Sequence, residues 1–215
     1  MPPRIPPPIP AHPDVTIESE QRVWSGRFPL DVIRFRQRRF DGVPSGIRTW
    51  ELWRRGRAAA LLPYDPVADA IVLIEQFRFP ALAAGVDPVM VELPAGLCED
   101  GEAPAATIVR EMQEEMHMQA DRLERIGSFL LSPGGCDELV ELYVGRVTAP
   151  PADADGIVGH AGEPSEDEDI RVRVWSADAA IEAALVGRLT NIVTSVALLW
   201  FAARRDTLKR SWTTA

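Results

Sequence analysis

GLCEDGEAPAATIVREMQEEMHM, running from Gly96 to Met118, is the stretch on which the reading of the chain turns. Pro104 suits the first turn of a helix, where its missing N–H is not needed. Ile108, Met112 and Met116 then recur every four residues, the stripe that a helix buries. The spacing predicts a helix over 103–116. On that helix Glu111, Glu114 and Glu115 stand at i,i+3 and i,i+4 steps, on a face away from the apolar stripe. Like charges so placed cost a helix a few tenths of a kcal/mol per pair, roughly. A hard divalent cation offsets that cost. Mg²⁺ prefers oxygen ligands and commonly sits between carboxylates and phosphates. Arg110 is positioned to pin the carboxylates by charge-assisted hydrogen bonds. An ExxEE run alone is ordinarily a solvated face, so the surrounding residues must decide.

The rest of the chain sets the frame. The 215 residues are 46% hydrophobic, enough for a sizeable core. The net charge of −9 argues against a nucleic-acid backbone as main partner. Residues 20–60 hold ten arginines against four acids, while residues 163–169 hold five acids. Such opposed clusters suit an anionic ligand with bound cations, or simply a salt-bridged surface. Cys98 and Cys136 form no CxxC pair, no secretory signal is visible, and the apolar run 192–203 is too short to span a bilayer. A cytoplasmic protein away from membranes is expected.

Residues 1–15 read as a flexible proline-rich arm. Residues 16–55 alternate apolar and polar side chains, as half-buried antiparallel strands do. From Gly56 onward buried strands (AAALLP, AIVLIEQFRF, VMVEL) lead into the helix. Strands near IGSFLLS and ELVELYVGRV follow, then a loop over 148–169, the strand IRVRVW, and helices near 177–186 and 191–204. The expected fold is α/β over 56–215, a mixed sheet between helices, preceded by a small antiparallel β domain over 16–55.

Gly96, Glu102, Arg110, Glu111, Met112, Glu114 and Glu115 fit G-x5-E-x7-R-E-U-x-E-E-x-G-U, where U is a bulky aliphatic residue. This resembles the signature of the Nudix hydrolases, whose fold is an α/β/α sandwich. One position departs: His117 stands where the family has glycine, a residue that caps helices in the left-handed conformation. The runs RRGRAAALLPYDPVADAIVLIEQFR, ELPAG, LSPGG, EDEDIRV and LTNIVTSVALLW are similar to the bacterial ADP-ribose pyrophosphatases of that family. Pro133, fifteen residues after Met118 (133 − 118), resembles a marker of that subgroup and also suits a plain Ser-Pro-Gly-Gly turn.

The resemblance implies Mg²⁺-dependent hydrolysis of ADP-ribose to AMP and ribose 5-phosphate, with two or more Mg²⁺ ions and Mn²⁺ as the alternative. It implies metal ligation by the Ala95 carbonyl, Glu111, Glu115 and Glu168, with Glu114 an additional or indirect ligand and Arg110 beside it. Glu166 resembles the general base that activates the attacking water. Arg78 resembles an arginine that contacts substrate phosphates, and Arg55 and Pro133 fall on the substrate side. Residues 16–55 resemble a β segment that joins a partner subunit, which implies a homodimer. Phe28, Trp50 and Trp53 suit either adenine stacking or interface packing. The competing readings are a Nudix hydrolase of another nucleotide sugar (GDP-mannose or an ADP-sugar), and a non-catalytic ligand-sensing module. Retention of Glu111, Glu114 and Glu115 weighs against the module. The two cysteines alone do not discriminate against an isoprenoid-diphosphate isomerase, but the pyrophosphatase landmarks do.

Overall fold

The computed structural model describes residues 4–163 and 168–213. The chain divides into two compact units, residues 1–57 with 130–139, and residues 58–129 with 140–215.

The first unit carries a three-stranded antiparallel sheet in the order β1 (Val15–Ser25), β2 (Pro29–Gln37), β3 (Arg48–Trp53). In β2 the residues Asp31, Ile33 and Phe35 are buried, and Leu30, Val32 and Arg34 turn the other way, as strand alternation requires. Asp31 is fully buried and is satisfied by Arg22 (Nε to Oδ1, 2.9 Å) and Arg54 (Nη1 to Oδ2, 3.3 Å). The Arg22 hydrogen bond outweighs burial and holds the Asp31 carboxyl below its ordinary range. Arg54, itself 4% exposed, also donates to Asp137 at 2.7 Å and to the Pro7 carbonyl at 2.6 Å. One guanidinium thereby ties the proline-rich arm, β2 and the returning segment 130–139 together. The end of β3 pairs with that segment, Trp53 N–H donating to the Gly135 carbonyl at 2.8 Å. Trp50 packs edge-on to Phe35 (5.4 Å) and lines an open groove of about 470 Å³ with Leu30, Val32, Gly134 and Gly135. Trp53 packs edge-on to Phe28, whose ring lies 4.1 Å under the Arg55 guanidinium.

The second unit is built on an eight-stranded sheet. Its path is β10 (Ile157–Ala161), β11 (Ile170–Ser176), β5 (Ala70–Phe77), β4 (Arg57–Asp65), β9 (Leu139–Arg146), β8 (Arg122–Leu130), with β6 (Val89–Glu92) on β5 and β7 (Ala95–Leu97) on β4. β4 and β5 lie inside the sheet, so they read as continuous apolar runs and not as alternating ones. Ala59, Leu61, Val72, Ile74, Ile170 and Val172 form one core with Ile108, Met112 and Met116 of helix α2 (Pro104–Met116). On the opposite side Tyr64 packs against Phe201 (4.6 Å) and Trp212 of α4 (Ile192–Thr213), beside α3 (Ala177–Leu185). The unit is thus an α/β/α sandwich. Asp69, in the β4–β5 turn, fixes α4 by accepting from Arg205 (2.7 Å), Lys209 (2.6 Å) and the Tyr64 hydroxyl (2.9 Å).

Several elements differ from those read in the sequence. The stretch expected to be loop over 148–169 contains β10, whose Gly159 and glycine-flanked His160 hide the strand pattern. The last helix extends to Thr213, because Leu208 and Trp212 continue its buried stripe beyond the polar Arg204–Asp206. A short helix, α1 (Phe79–Ala83), carries Pro80 in its first turn. No helix among the described residues is long and apolar enough to cross a membrane.

His117 ends α2 in the left-handed conformation (φ 54°, ψ 35°), and its backbone N–H donates to the Gln113 carbonyl. A β-carbon there costs about 1–2 kcal/mol relative to glycine. His117→Gly is therefore expected to raise Tm by roughly 2–4 °C per kcal/mol recovered, read in a thermal melt. A lowered Tm would mean that the imidazole contact with the Gln113 carbonyl (3.1 Å) outweighs the backbone strain.

Candidate active site

The acidic face of α2 lies against β7. Ala95 N–H donates to Glu115 Oε2 at 3.0 Å. A β-carbon on Gly96 would fall 1.8 Å from Glu111 Oε1, so only glycine leaves room for that carboxylate. Arg110 spans the rest of the face. Its Nη1 donates to Glu111 Oε1 (2.8 Å) and Glu114 Oε2 (2.9 Å), and its Nε and Nη2 reach Glu102 at 3.3 and 3.2 Å. The Arg110 hydrogen bond pulls the Glu102 carboxyl down to about 2.

Glu115 is 3% exposed, and burial pushes its carboxyl well above the usual range despite the Ala95 hydrogen bond. The charges of Glu111 and Glu168 push the same way. Glu111 is raised first by burial, against the pull of Arg110, with Glu114 and Glu168 adding repulsion. Glu168, which precedes β11, therefore shares one electrostatic neighbourhood with two carboxylates of α2. Its Oε2 accepts from Glu163 N–H at 3.2 Å. Among the described residues no three acid, histidine or cysteine side chains are gathered into a group that could hold a metal ion as they stand. The donor chemistry nevertheless fits hard divalent cations: buried, mutually repelling carboxylate oxygens beside a backbone turn, a set that Mg²⁺ completes with water.

Arg78 donates through Nε and Nη2 to Glu92 Oε2 (3.0 and 2.7 Å), and Asn191 holds the other oxygen at 2.9 Å. Burial works to lower the Arg78 pKa, but the Glu92 bond and the charges of Glu92, Glu115 and Glu168 keep it raised. Glu92 and Asn191 were not singled out in the sequence. The one signal was an acid at the end of the apolar strand VMVEL, which at 5% exposure needs a cationic partner. Of the other residues singled out, Arg55 belongs to the first unit, where it pairs with Glu138 at 2.9 Å. Pro133 is exposed in the turn 132–136 of the same unit, closed by Cys136 N–H on the Ser132 carbonyl. Glu166 lies outside the described residues.

The model of the NUDIX domain matches residues 54–190, and the chain belongs to the Nudix family. An ADP-ribose pyrophosphatase of Escherichia coli is 40% identical over 199 residues, 93% of this chain and 93% of that protein. A GDP-mannose pyrophosphatase of Yersinia pestis is 38% identical over 94 residues, 43% of this chain and 47% of its own. Among solved structures, one described as an ADP compounds hydrolase matches with a TM-score of 0.64 at 20% identity, covering 94% of this chain and 98% of that one. That likeness concerns the fold.

The geometry makes a prediction about stability. Because the folded-state pKa of Glu115 is raised, its ionised form destabilises the metal-free chain above that pKa. The cost fades as pH falls toward the unfolded value, about 4.3. Glu115→Gln keeps an oxygen for the Ala95 N–H and removes the charge. With chelator present near neutral pH it is expected to melt higher than wild type, the difference closing as pH approaches about 4. A variant that melts lower at neutral pH would contradict the burial argument.

Proposed function

We propose that the chain hydrolyses the pyrophosphate of ADP-ribose, with Mg²⁺, to AMP and ribose 5-phosphate. The observation that carries this reading is the extent of the likeness to the ADP-ribose pyrophosphatase of Escherichia coli, 93% of both chains. The likeness to the GDP-mannose pyrophosphatase spans less than half of either chain, which keeps GDP-mannose and ADP-sugars as second candidates.

Glu111, Glu115, Glu168 and the Ala95 carbonyl would hold the ions, and Glu114 would contribute directly or through water. Mg²⁺ held there would neutralise phosphate charge and lower the pKa of a water. Arg110 keeps the carboxylates apart and oriented through its bonds to Glu102, Glu111 and Glu114. Arg78, braced by Glu92, offers the guanidinium face that phosphoryl oxygens accept from. Arg55 and Pro133 serve the nucleotide-sugar. Glu166 takes the proton of the attacking water. The water oxygen bonds to phosphorus opposite the bridging oxygen, the bridging P–O bond breaks, and its electron pair leaves with the departing phosphate. Neither cysteine is in a disulfide among the described residues, and the reading is of a cytoplasmic enzyme.

A screen of nucleotide sugars with Mg²⁺, read by phosphate analysis of the products, should rank ADP-ribose first. Preference for GDP-mannose would move the reading to the second candidate. Glu111→Gln, Glu115→Gln and Gly96→Ala should each nearly abolish turnover while leaving the fold intact. Near-normal rates at saturating Mg²⁺ in any of them would refute the metal assignment. Glu166→Gln should lower kcat by about 10²–10⁴-fold, with a smaller effect on KM. Glu168→Gln should also weaken metal dependence.

The reading includes a homodimer joined through residues 16–55. All eleven residues of β1 are exposed in the single chain, Trp24 at 65%, and such an edge invites cover. Light scattering should give a dimer for the full chain and a monomer with poor substrate affinity after deletion of residues 1–55. An active, monomeric truncation would argue against it.

A further inference from the structure

Gln76 stands near the end of β5, between Ile170 of β11 and Met90 of β6 in register. It is 8% exposed, and its side-chain Oε1 has no hydrogen-bond partner among the described residues. Strand alternation places it. Val72 and Ile74 belong to the core beneath α2, so Gln76 is the next residue on that side of the sheet. Arg78, one further alternate position along, feels the charges of Glu115 and Glu168. The amide therefore sits where the apolar floor gives way to the carboxylates and guanidinium of the candidate active site.

An interior strand position of this kind is ordinarily filled by an aliphatic side chain. A buried carbonyl left without a donor is destabilising, and such groups are few in folded proteins. In the orientation the amide adopts, Oε1 is the unpaired atom and takes a donor. Phosphoryl oxygens at neutral pH are acceptors too and do not fill the role. Hydrolysis of a nucleoside-diphosphate sugar brings O–H donors of two kinds, the hydroxyls of a ribosyl group and the attacking water.

We infer that Gln76 is a positioning residue for the reaction, its Oε1 accepting a hydrogen bond from an O–H that arrives with the substrate or the nucleophile. The inference rests on the pyrophosphatase reading above. It adds a neutral acceptor to a site otherwise built from charges. The buried amide oxygen, without a partner among the described residues, is satisfied by that O–H in the complex.

The test uses Gln76→Met in the full chain, because methionine matches glutamine in length and branching without its polar atoms. Three quantities are measured against wild type: the ligand-free Tm, steady-state turnover of ADP-ribose at saturating Mg²⁺, and calorimetric binding of the non-hydrolysable α,β-methylene analogue of ADP-ribose. Tm should be unchanged or raised, since the side chain makes no hydrogen bond among the described residues. If the donor is a ribosyl hydroxyl, KM rises and analogue affinity falls by roughly 5–100-fold. If it is the water, kcat falls by a similar factor and analogue binding is unchanged. Either result supports the inference. Unchanged kcat, KM and analogue affinity in an active enzyme would overturn it. So would a fall in Tm with kinetics unaffected, or a raised Mg²⁺ requirement as the sole kinetic defect, which would mark Oε1 as a metal ligand. A wild-type chain that does not hydrolyse ADP-ribose would instead remove the reading beneath it. Should Gln76→Met fail to fold, a crystal structure of wild type with the analogue decides. An O–H of the ligand or of a water present only in the complex must lie within hydrogen-bond distance of Oε1. A water bound there in the empty and filled states alike overturns the inference.

Discussion

A carboxylate resting against a glycine organises the site. Glu111 lies where any side chain on residue 96 would be, and Glu115 is fastened to the neighbouring Ala95 amide. These two contacts seat the acidic face of α2 against β7. They draw acidic side chains out of water and against a backbone turn, where their mutual repulsion is screened least. Everything nearby answers that repulsion. Arg110 bridges Glu102, Glu111 and Glu114, and Arg78 is held at the rim by Glu92. The remaining imbalance, visible in the raised carboxyls of Glu111 and Glu115, is what a divalent cation would relieve.

The apolar side of the same helix makes this possible. Ile108, Met112 and Met116 are almost completely buried under the sheet, so α2 cannot slide or rotate to relax its acidic face. The opposite face of the sheet is fixed as firmly, with Tyr64 against Phe201 and Asp69 holding Arg205 and Lys209 of α4. Packing of this density converts hydrophobic burial into side-chain position. These cores supply the stability that burying an ionised Glu115 costs. That division between an over-determined scaffold and a locally unfavourable site is common where function demands strain.

The first unit solves a different problem. Three strands and a returning segment offer little apolar area, and β1 buries none of its residues within the single chain. Charge takes over part of the work. Arg54, nearly inaccessible, gathers Asp31, Asp137 and the Pro7 carbonyl about one guanidinium. Its fixed fork of donors suits several acceptors at once, which a lysine would not match.

The sequence by itself determined what depends on local spacing. The four-residue recurrence of Ile108, Met112 and Met116, and the steps between Glu111, Glu114 and Glu115, place the carboxylates on one helix, because helical geometry is fixed by near neighbours. The motif around them and the landmarks from RRGRAAALLP to LTNIVTSVALLW led to the Nudix family. The central strands were legible as unbroken apolar runs. β10 was not, since Gly159 within it interrupts the alternation and its register with β11 shifts there. Only the tertiary structure decided that segment 130–139 runs beside β3, that Glu92 and Asn191 brace Arg78, and that the buried Gln76 oxygen meets no partner among the described residues. Each joins residues far apart along the chain, or depends on burial. Hydrogen-bond satisfaction in a closed interior is set by which surfaces meet, and no local pattern encodes that.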